Sequence, residues 1–237
     1  MYQYHYQRPT PHLLFDIAQG KMYDSEAVNI FGFNRVVGTS FETLWNDGGD
    51  YVFPTSAVTM DLVSTSTSDT MDILVKGLDA NYNEISETVT LTGTVAVTTS
   101  ASFLRINSAI ILSGSNVGDV TISNGGTIYG FIEAELGTTQ SCIYTVPADR
   151  SLYLFRIDFN SATVNPNKYL VVRNKLRSDA GRILHVAEAT FATSQVSYDR
   201  QVPFKIAEKT DFQFQAKSSS GTNEVAVFVE AVQVKNQ

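Results

Sequence analysis

Short runs of alternating apolar and polar residues, separated by polar turns, constrain this chain most, and no window carries a sustained helical period. The run Ile85-Ser86-Glu87-Thr88-Val89-Thr90-Leu91 is typical. Ser86, Thr88 and Thr90 fall on one side, and Ile85, Val89 and Leu91 on the other. Glu87 alone breaks the apolar face. Successive strand side chains point to opposite faces, so such a run is a half-buried strand. Phe212, Phe214 and Ala216 alternate in the same way with Asp211, Gln213 and Gln215, and Tyr153, Phe155, Ile157 and Phe159 are expected to share one face. The final run, residues 225–234, is apolar on both faces, which predicts a strand central in its sheet or covered by a partner.

Turn chemistry separates the runs. Asn46-Asp47-Gly48-Gly49-Asp50 and Asp79-Ala80-Asn81-Tyr82-Asn83 are loops of residues that accept positive φ cheaply. Asn124-Gly125-Gly126 predicts a tight hairpin turn. Strands at such short spacing mark an all-β sandwich or barrel. Gly137-Thr138-Thr139-Gln140 reads as a boundary. The expected organisation is an N-terminal arm (1–28), a first β-sandwich-like domain (29–137) and a second, jelly-roll-like sandwich (138–237), because seven or eight strands beyond the boundary suffice to close a jelly roll.

The arm opens Met1-Tyr2-Gln3-Tyr4-His5-Tyr6-Gln7-Arg8, followed by Pro9 and Pro11, which suit an extended segment. Tyrosine offers large contact area with a polar tip, so Tyr2, Tyr4, Tyr6 and Arg8 are candidate interface residues, a contact-free tail being the other reading. Residues 12–18 make a short helix or strand that Gly20 ends, and Phe15 within it joins the interface set. Trp45 is the last candidate, as an anchor of a core or an interface rather than a sugar-stacking residue.

Composition narrows the function classes. Hydrophobic residues make up 43% of the 237 and charged ones 17%, so the chain can fill cores while covering much of its surface with neutral polar groups. The net charge of -7 argues against wrapping nucleic acid, and Lys168, Arg173, Lys175, Arg177 and Arg182 read as a solvated strand face. A secretory signal is not expected from the opening residues, nor a bilayer span from any apolar run. Cys142, the sole cysteine, admits no intramolecular disulfide and reads as a buried small hydrophobe.

The sequence carries no recognisable catalytic motif. There is no Gly-x-Ser-x-Gly elbow. His5, His12 and His185 are too scattered for a zinc site, and His185 reads as a strand histidine. The carboxylates Asp47 and Asp50, and Asp69 and Asp72, lack the spacing of a calcium loop and read as surface turns. Glu87 is expected either to guard a sheet edge or to pair with Arg105. No catalytic residue, cofactor or metal is expected.

Several phrases resemble a family of virion structural proteins of tailed phages, especially marine ones: Asn29-Ile30-Phe31-Gly32-Phe33-Asn34, Glu42-Thr43-Leu44-Trp45-Asn46-Asp47-Gly48-Gly49, Gly77-Leu78-Asp79-Ala80-Asn81-Tyr82-Asn83-Glu84-Ile85-Ser86-Glu87-Thr88-Val89, Phe103-Leu104-Arg105-Ile106-Asn107, Tyr144-Thr145-Val146-Pro147-Ala148, and Glu208-Lys209-Thr210-Asp211 ahead of Ala216-Lys217-Ser218-Ser219-Ser220. The resemblance implies a non-enzymatic particle component and fixes no functional residues. A homotrimeric capsid decoration or cement protein, assembled into the virion in the host cytoplasm, is the leading expectation. Its partners would be other copies and phage capsid or tail proteins, with no nucleic acid or membrane. A tail component (adaptor, ring or fibre-attachment protein) comes next, then a host-glycan-binding module.

Overall fold

The structure is a computed structural model that describes residues 13–162 and 168–236. It is all-β apart from one short helix, and the strands form two sandwiches, one inserted in the other.

The chain enters the larger sandwich through α1 (Leu13–Ala18), β1 (Ser25–Val37) and β2 (Glu42–Thr43). It then leaves to build the smaller one from β3 (Asp61–Ser64), β4 (Asp72–Leu78), β5 (Glu84–Thr90), β6 (Val97–Thr98), β7 (Arg105–Ile111), β8 (Val120–Asn124) and β9 (Thr127–Ile132). On its return it adds β10 (Ile143–Thr145), β11 (Arg150–Ser161), β12 (Leu170–Arg177), β13 (Ile183–Leu184), β14 (Glu188–Phe191), β15 (Gln195–Ile206), β16 (Asp211–Ser218) and β17 (Asn223–Lys235).

In the larger sandwich one sheet runs β1-β17-β11-β15. The other is centred on β16 and β12, with β2 and β10 sharing the free edge of β16 and β13 and β14 sharing that of β12. Between them lie Leu152, Leu154, Ile157, Phe159, Phe212, Phe214, Val225, Val227 and Val229. Phe214 meets Phe159 and Phe212 edge-on, with ring centroids 5.2 and 5.0 Å apart. The smaller sandwich packs the sheet β6-β3-β8-β9 on β5-β4-β7 around Met60, Leu62, Ile73, Val75, Phe103 and Ile122.

The expected domain limits shift accordingly. Residues 29–53 do not belong with the smaller sandwich: β1 pairs along its length with β17, setting Phe31 opposite Phe228, and Ile30, Val37 and Leu44 fill the larger core. The two-faced apolar run of β17 explains this, because a central strand needs a neighbour on each edge and β1 supplies the second. The stretch expected as a boundary, with the residues leading into it, is held against the smaller sandwich instead. Ile111 N–H donates to Gly137 O (2.8 Å) and Thr139 N–H to Ala109 O (3.0 Å), while Asn116 Nδ2 donates to the carbonyls of Glu133 (2.9 Å) and Gly118 (2.8 Å).

One face assignment also changes. A bulge at Phe155 shifts β11 against both neighbours, so Leu152 and Leu154 face the core before it and Ile157 and Phe159 after it, leaving Tyr153 outside. By contrast, the β8–β9 hairpin turns at Gly125 and Gly126 with φ of 56° and 83°, as its sequence demands. Gly32 is required for a different reason: it faces inward where the two sheets nearly touch, and a Cβ there would lie 2.2 Å from Cys142 N and 2.4 Å from Leu44 O.

Candidate functional site

The alternation of β16 sends Phe212, Phe214 and Ala216 into the larger core, yet Asp211, Gln213 and Gln215 on its outer face are buried too. The smaller sandwich and the segment leading to it cover them. Trp45, Tyr51, Phe53 and Ile143 form a small core at this joint, with Tyr51 edge-on to Trp45 and Phe53 at 5.1 and 4.9 Å. Tyr51 donates through its hydroxyl to Tyr129 O (3.1 Å), tying the linking segment to β9. Burial pushes the Tyr51 phenol up, with the nearby Arg105 charge pulling the other way, so it stays neutral.

A carboxylate from one sandwich and a guanidinium from the other close the joint. Arg105 of β7 is forked onto Asp211 of β16, Nε to Oδ1 at 2.6 Å and Nη2 to Oδ2 at 3.0 Å, and their side chains are only 4% and 3% exposed. The remaining Arg105 donor, Nη1, goes to Pro54 O (2.8 Å) and Leu104 O (2.7 Å). Asp211 also accepts from Thr145 Oγ1 (2.8 Å) and from Arg177 Nε (2.9 Å) and Nη2 (2.8 Å). Burial of a charge costs several kcal/mol unless its polar atoms are paired, and here all three guanidinium nitrogens of Arg105 and both carboxylate oxygens of Asp211 are engaged.

Beside the joint lies a cleft of about 540 Å³ between the two sandwiches. Its floor is the outer edge of β1, which contributes the unbroken run Glu26 to Phe31. Across from it stand Lys76 and Gly77 of β4, Glu84, Ile85 and Ser86 of β5, and Asn107 and Ser108 of β7, and Tyr144 closes one end. Tyr144 Oη donates to Gln233 Oε1 (2.6 Å). Burial, followed by the charges of Glu84 and Glu26, pushes the Tyr144 phenol up.

Of the candidate interface residues, Tyr2, Tyr4, Tyr6 and Arg8 lie outside the described residues. Phe15 projects from α1 at 59% exposure. Trp45 does not reach an outer surface: it is 4% exposed in the internal joint, its indole N–H donating to Gly49 O (3.3 Å).

Other expectations resolve at the level of single groups. Glu87 does not pair with Arg105. It reaches past its own strand and accepts from the N–H groups of Ser100 (2.8 Å) and Ala101 (2.7 Å), which accounts for a charge on an apolar face. The basic positions of β12 are not freely solvated either. Arg173 donates to Gln215 (2.9 Å) and stacks 3.6 Å from the Phe41 ring centroid, Lys175 pairs with Asp50 (3.7 Å), and Arg177 meets Asp211. His185 is exposed and follows β13 instead of lying within a strand. Cys142 is fully buried.

The acidic loops hold their own hydrogen bonds. Asp69 is buried and accepts from Ser64 Oγ (2.6 Å) and from the N–H groups of Val117 (2.8 Å) and Gly118 (3.0 Å). Asp50 accepts from Thr43 Oγ1 (3.0 Å) and Gln215 Nε2 (2.7 Å). Among the described residues no three His, Cys, Asp or Glu side chains converge as metal ligands. Sequence reasoning missed the Arg105–Asp211–Arg177 trio. Its one visible trace was a lone cation inside the apolar stretch 103–106 and an acid opening the alternating run 211–216.

No protein-family model matches the chain, and no curated protein does. Among solved structures it is similar to the infectious bursal disease virus Gt strain (10% identity, TM-score 0.21, covering 90% of this chain and 77% of that one). The VP2 subviral particle of the same virus matches at 9% identity and a TM-score of 0.20, with the same coverage, and the Gx strain at 11% and 0.22, covering 89% and 71%. Similarity this loose says nothing about function, and the all-β architecture stands on the strand ladders themselves.

Proposed function

We propose that this protein is a non-catalytic structural subunit of a tailed-phage particle, acting as a homotrimeric decoration or cement protein that bridges neighbouring subunits of the head. The supporting observation is the apolar edge left on the larger sandwich. Ile183, Leu184 and Val186, at and beyond β13, are exposed on one sheet, and Tyr198 and Val202 on the other, with only residues 192–194 joining β14 to β15. Val202 is 80% exposed in a bulge where Arg200 to Pro203 stand opposite Phe155 alone. Apolar side chains gathered along an edge strand mark a surface that packs against another subunit. The tailed-phage resemblance of the sequence supplies the setting. The inward-turned charges of the joint suit a strut, since two sandwiches locked together transmit load as one body.

Native mass spectrometry of the purified protein, with electron microscopy of particles bearing a labelled copy, tests this reading. A trimer, label on the head surface, and loss of the trimer in Ile183→Asp/Val202→Asp are the expected results. A monomer that leaves particles undecorated refutes it. Label confined to the tail refutes the head assignment and favours an adaptor, ring or fibre-attachment role.

A further inference from the structure

The cleft beside the joint has the properties of a strand-accepting groove. Six consecutive residues of β1 line it, whereas the face of a strand would contribute alternate ones, so the cleft is bounded by a strand edge. β1 is terminal in its sheet, paired with β17 on one side only, and among the described residues the backbone of 26–31 makes no hydrogen bond on the other. Unpaired edge N–H and C=O groups are a template for an added strand. The cleft also has a charge sign: Glu26 and Glu84 line it against the one lining cation Lys76, with Arg150 behind Glu84 at 3.8 Å and Glu26 without a cation partner among the described residues.

One segment of this chain complements that groove. Residues 1–12 contain Arg8, His5 and His12 and no acidic residue, in a chain whose net charge is -7. Tyr2, Tyr4 and Tyr6 alternate as strand residues do, and Pro9 and Pro11 would end the pairing. At roughly 3.3 Å per residue, residues 2–7 match the span of the six-residue edge. Among the residues that follow, Ile17 is buried but Phe15, Met22 and Tyr23 are exposed, Tyr23 at 91%.

We infer that residues 2–7 of a second copy of this chain add as a strand to the free edge of β1, seating their tyrosines between the sandwiches and Arg8 near Glu26 and Glu84. This rests on the reading of the protein as an assembling subunit and names the contact through which copies would engage.

Disulfide trapping in the full-length protein tests it. Tyr4→Cys and Asn29→Cys are made in separate chains, mixed under dissociating then assembling conditions, and oxidised; buried Cys142 stays out of the reaction. A covalent heterodimer on a non-reducing gel, lost when Glu26→Lys/Glu84→Lys is added to the Asn29→Cys chain, is the expected result. The charge reversal should also weaken self-association by about tenfold or more, an effect that salt mimics. A disulfide formed only within the doubly substituted single chain overturns the inference, because the arm then folds onto its own cleft. Trimers that assemble without either crosslink overturn it too while leaving the assembly role standing. Monomers throughout overturn both.

Discussion

Asp211 holds two guanidinium groups and one hydroxyl, whereas Arg105 holds one carboxylate and two carbonyls, so removing each partner should cost different amounts. Asp211→Ala strips the fully buried Arg105 of its counter-charge, a loss of about 3–5 kcal/mol. Arg105→Met puts an apolar chain where the guanidinium lies over the Phe53 and Tyr82 rings and leaves Asp211 paired with Arg177 and Thr145. Its cost is that of leaving Pro54 O and Leu104 O unpaired, about 1–3 kcal/mol. In the double variant Arg105→Met/Asp211→Leu no charge is orphaned, and Arg177, a third exposed, turns to water. The pair should therefore be less destabilised than the sum of the singles. Urea unfolding followed by fluorescence reads this directly, because the sole tryptophan, Trp45, sits in the joint. For Asp211→Ala the midpoint should fall by about 1–2 M. An Arg105→Met loss equal to or larger than that of Asp211→Ala, or a strictly additive double variant, would refute the shared-carboxylate account.

Three further outcomes are expected. Gly32→Ala places a methyl within 2.2 Å of Cys142 N and should cost about 1–3 kcal/mol, visible in the melting temperature, and an unchanged melt would contradict the close approach of the sheets. Burial opposes the Asp69 carboxylate, but the hydrogen bonds from Ser64, Val117 and Gly118 outweigh it and hold its pKa below the unfolded value of 3.8. A depressed folded pKa means the stabilisation is complete above the unfolded value and is lost as pH falls through the folded one, so Asp69→Asn should be weaker than the parent at pH 7, with the gap closing in acid. A gap that stays constant down to pH 3 would count against it. Burial likewise pushes the Cys142 thiol up, only partly offset by the Phe214 N–H, so a thiol reagent should label it on unfolding and not before.

How much of this was legible depended on the range over which each feature is specified. The Gly125-Gly126 hairpin, the face split of β16 and the central place of β17 in its sheet follow from local period and turn chemistry, and the sequence announced them. The bulge at Phe155 is one residue long and invisible to a period-two reading, so it reversed the expected face of Tyr153. The pairing of β1 with β17 joins distant stretches, and nothing within residues 29–53 says which sheet they enter. Trp45 was open between a core and an interface role, and the return of the chain at Ser141, bridged to Trp45, is what makes it core. Charges behaved alike: Arg105 and Asp211 are each odd in their strands, but their meeting depends on how the inserted sandwich docks.

That docking bears on why the exterior carries so few free charges. Asp50, Asp211, Arg105, Lys175 and Arg177 are spent on one another across the outer face of β16 and β12, where a single sandwich would have turned them to water. The insertion begins after Phe53 and ends before Ser141, and both of its ends enter the same joint, through Tyr51 and Phe53 on one side and the Trp45–Ser141 bridge on the other. A domain held by two chain crossings, an aromatic cluster and a forked ion pair cannot swing about one hinge. The cleft walls are then fixed relative to each other, since β1 belongs to one sandwich and β4, β5 and β7 to the other. A groove of fixed width admits a strand without a closing motion, which lowers the ordering cost of the contact. The ion pair and the cleft are thus linked: loosening Arg105 from Asp211 should widen the groove and weaken whatever binds there, although neither residue touches it.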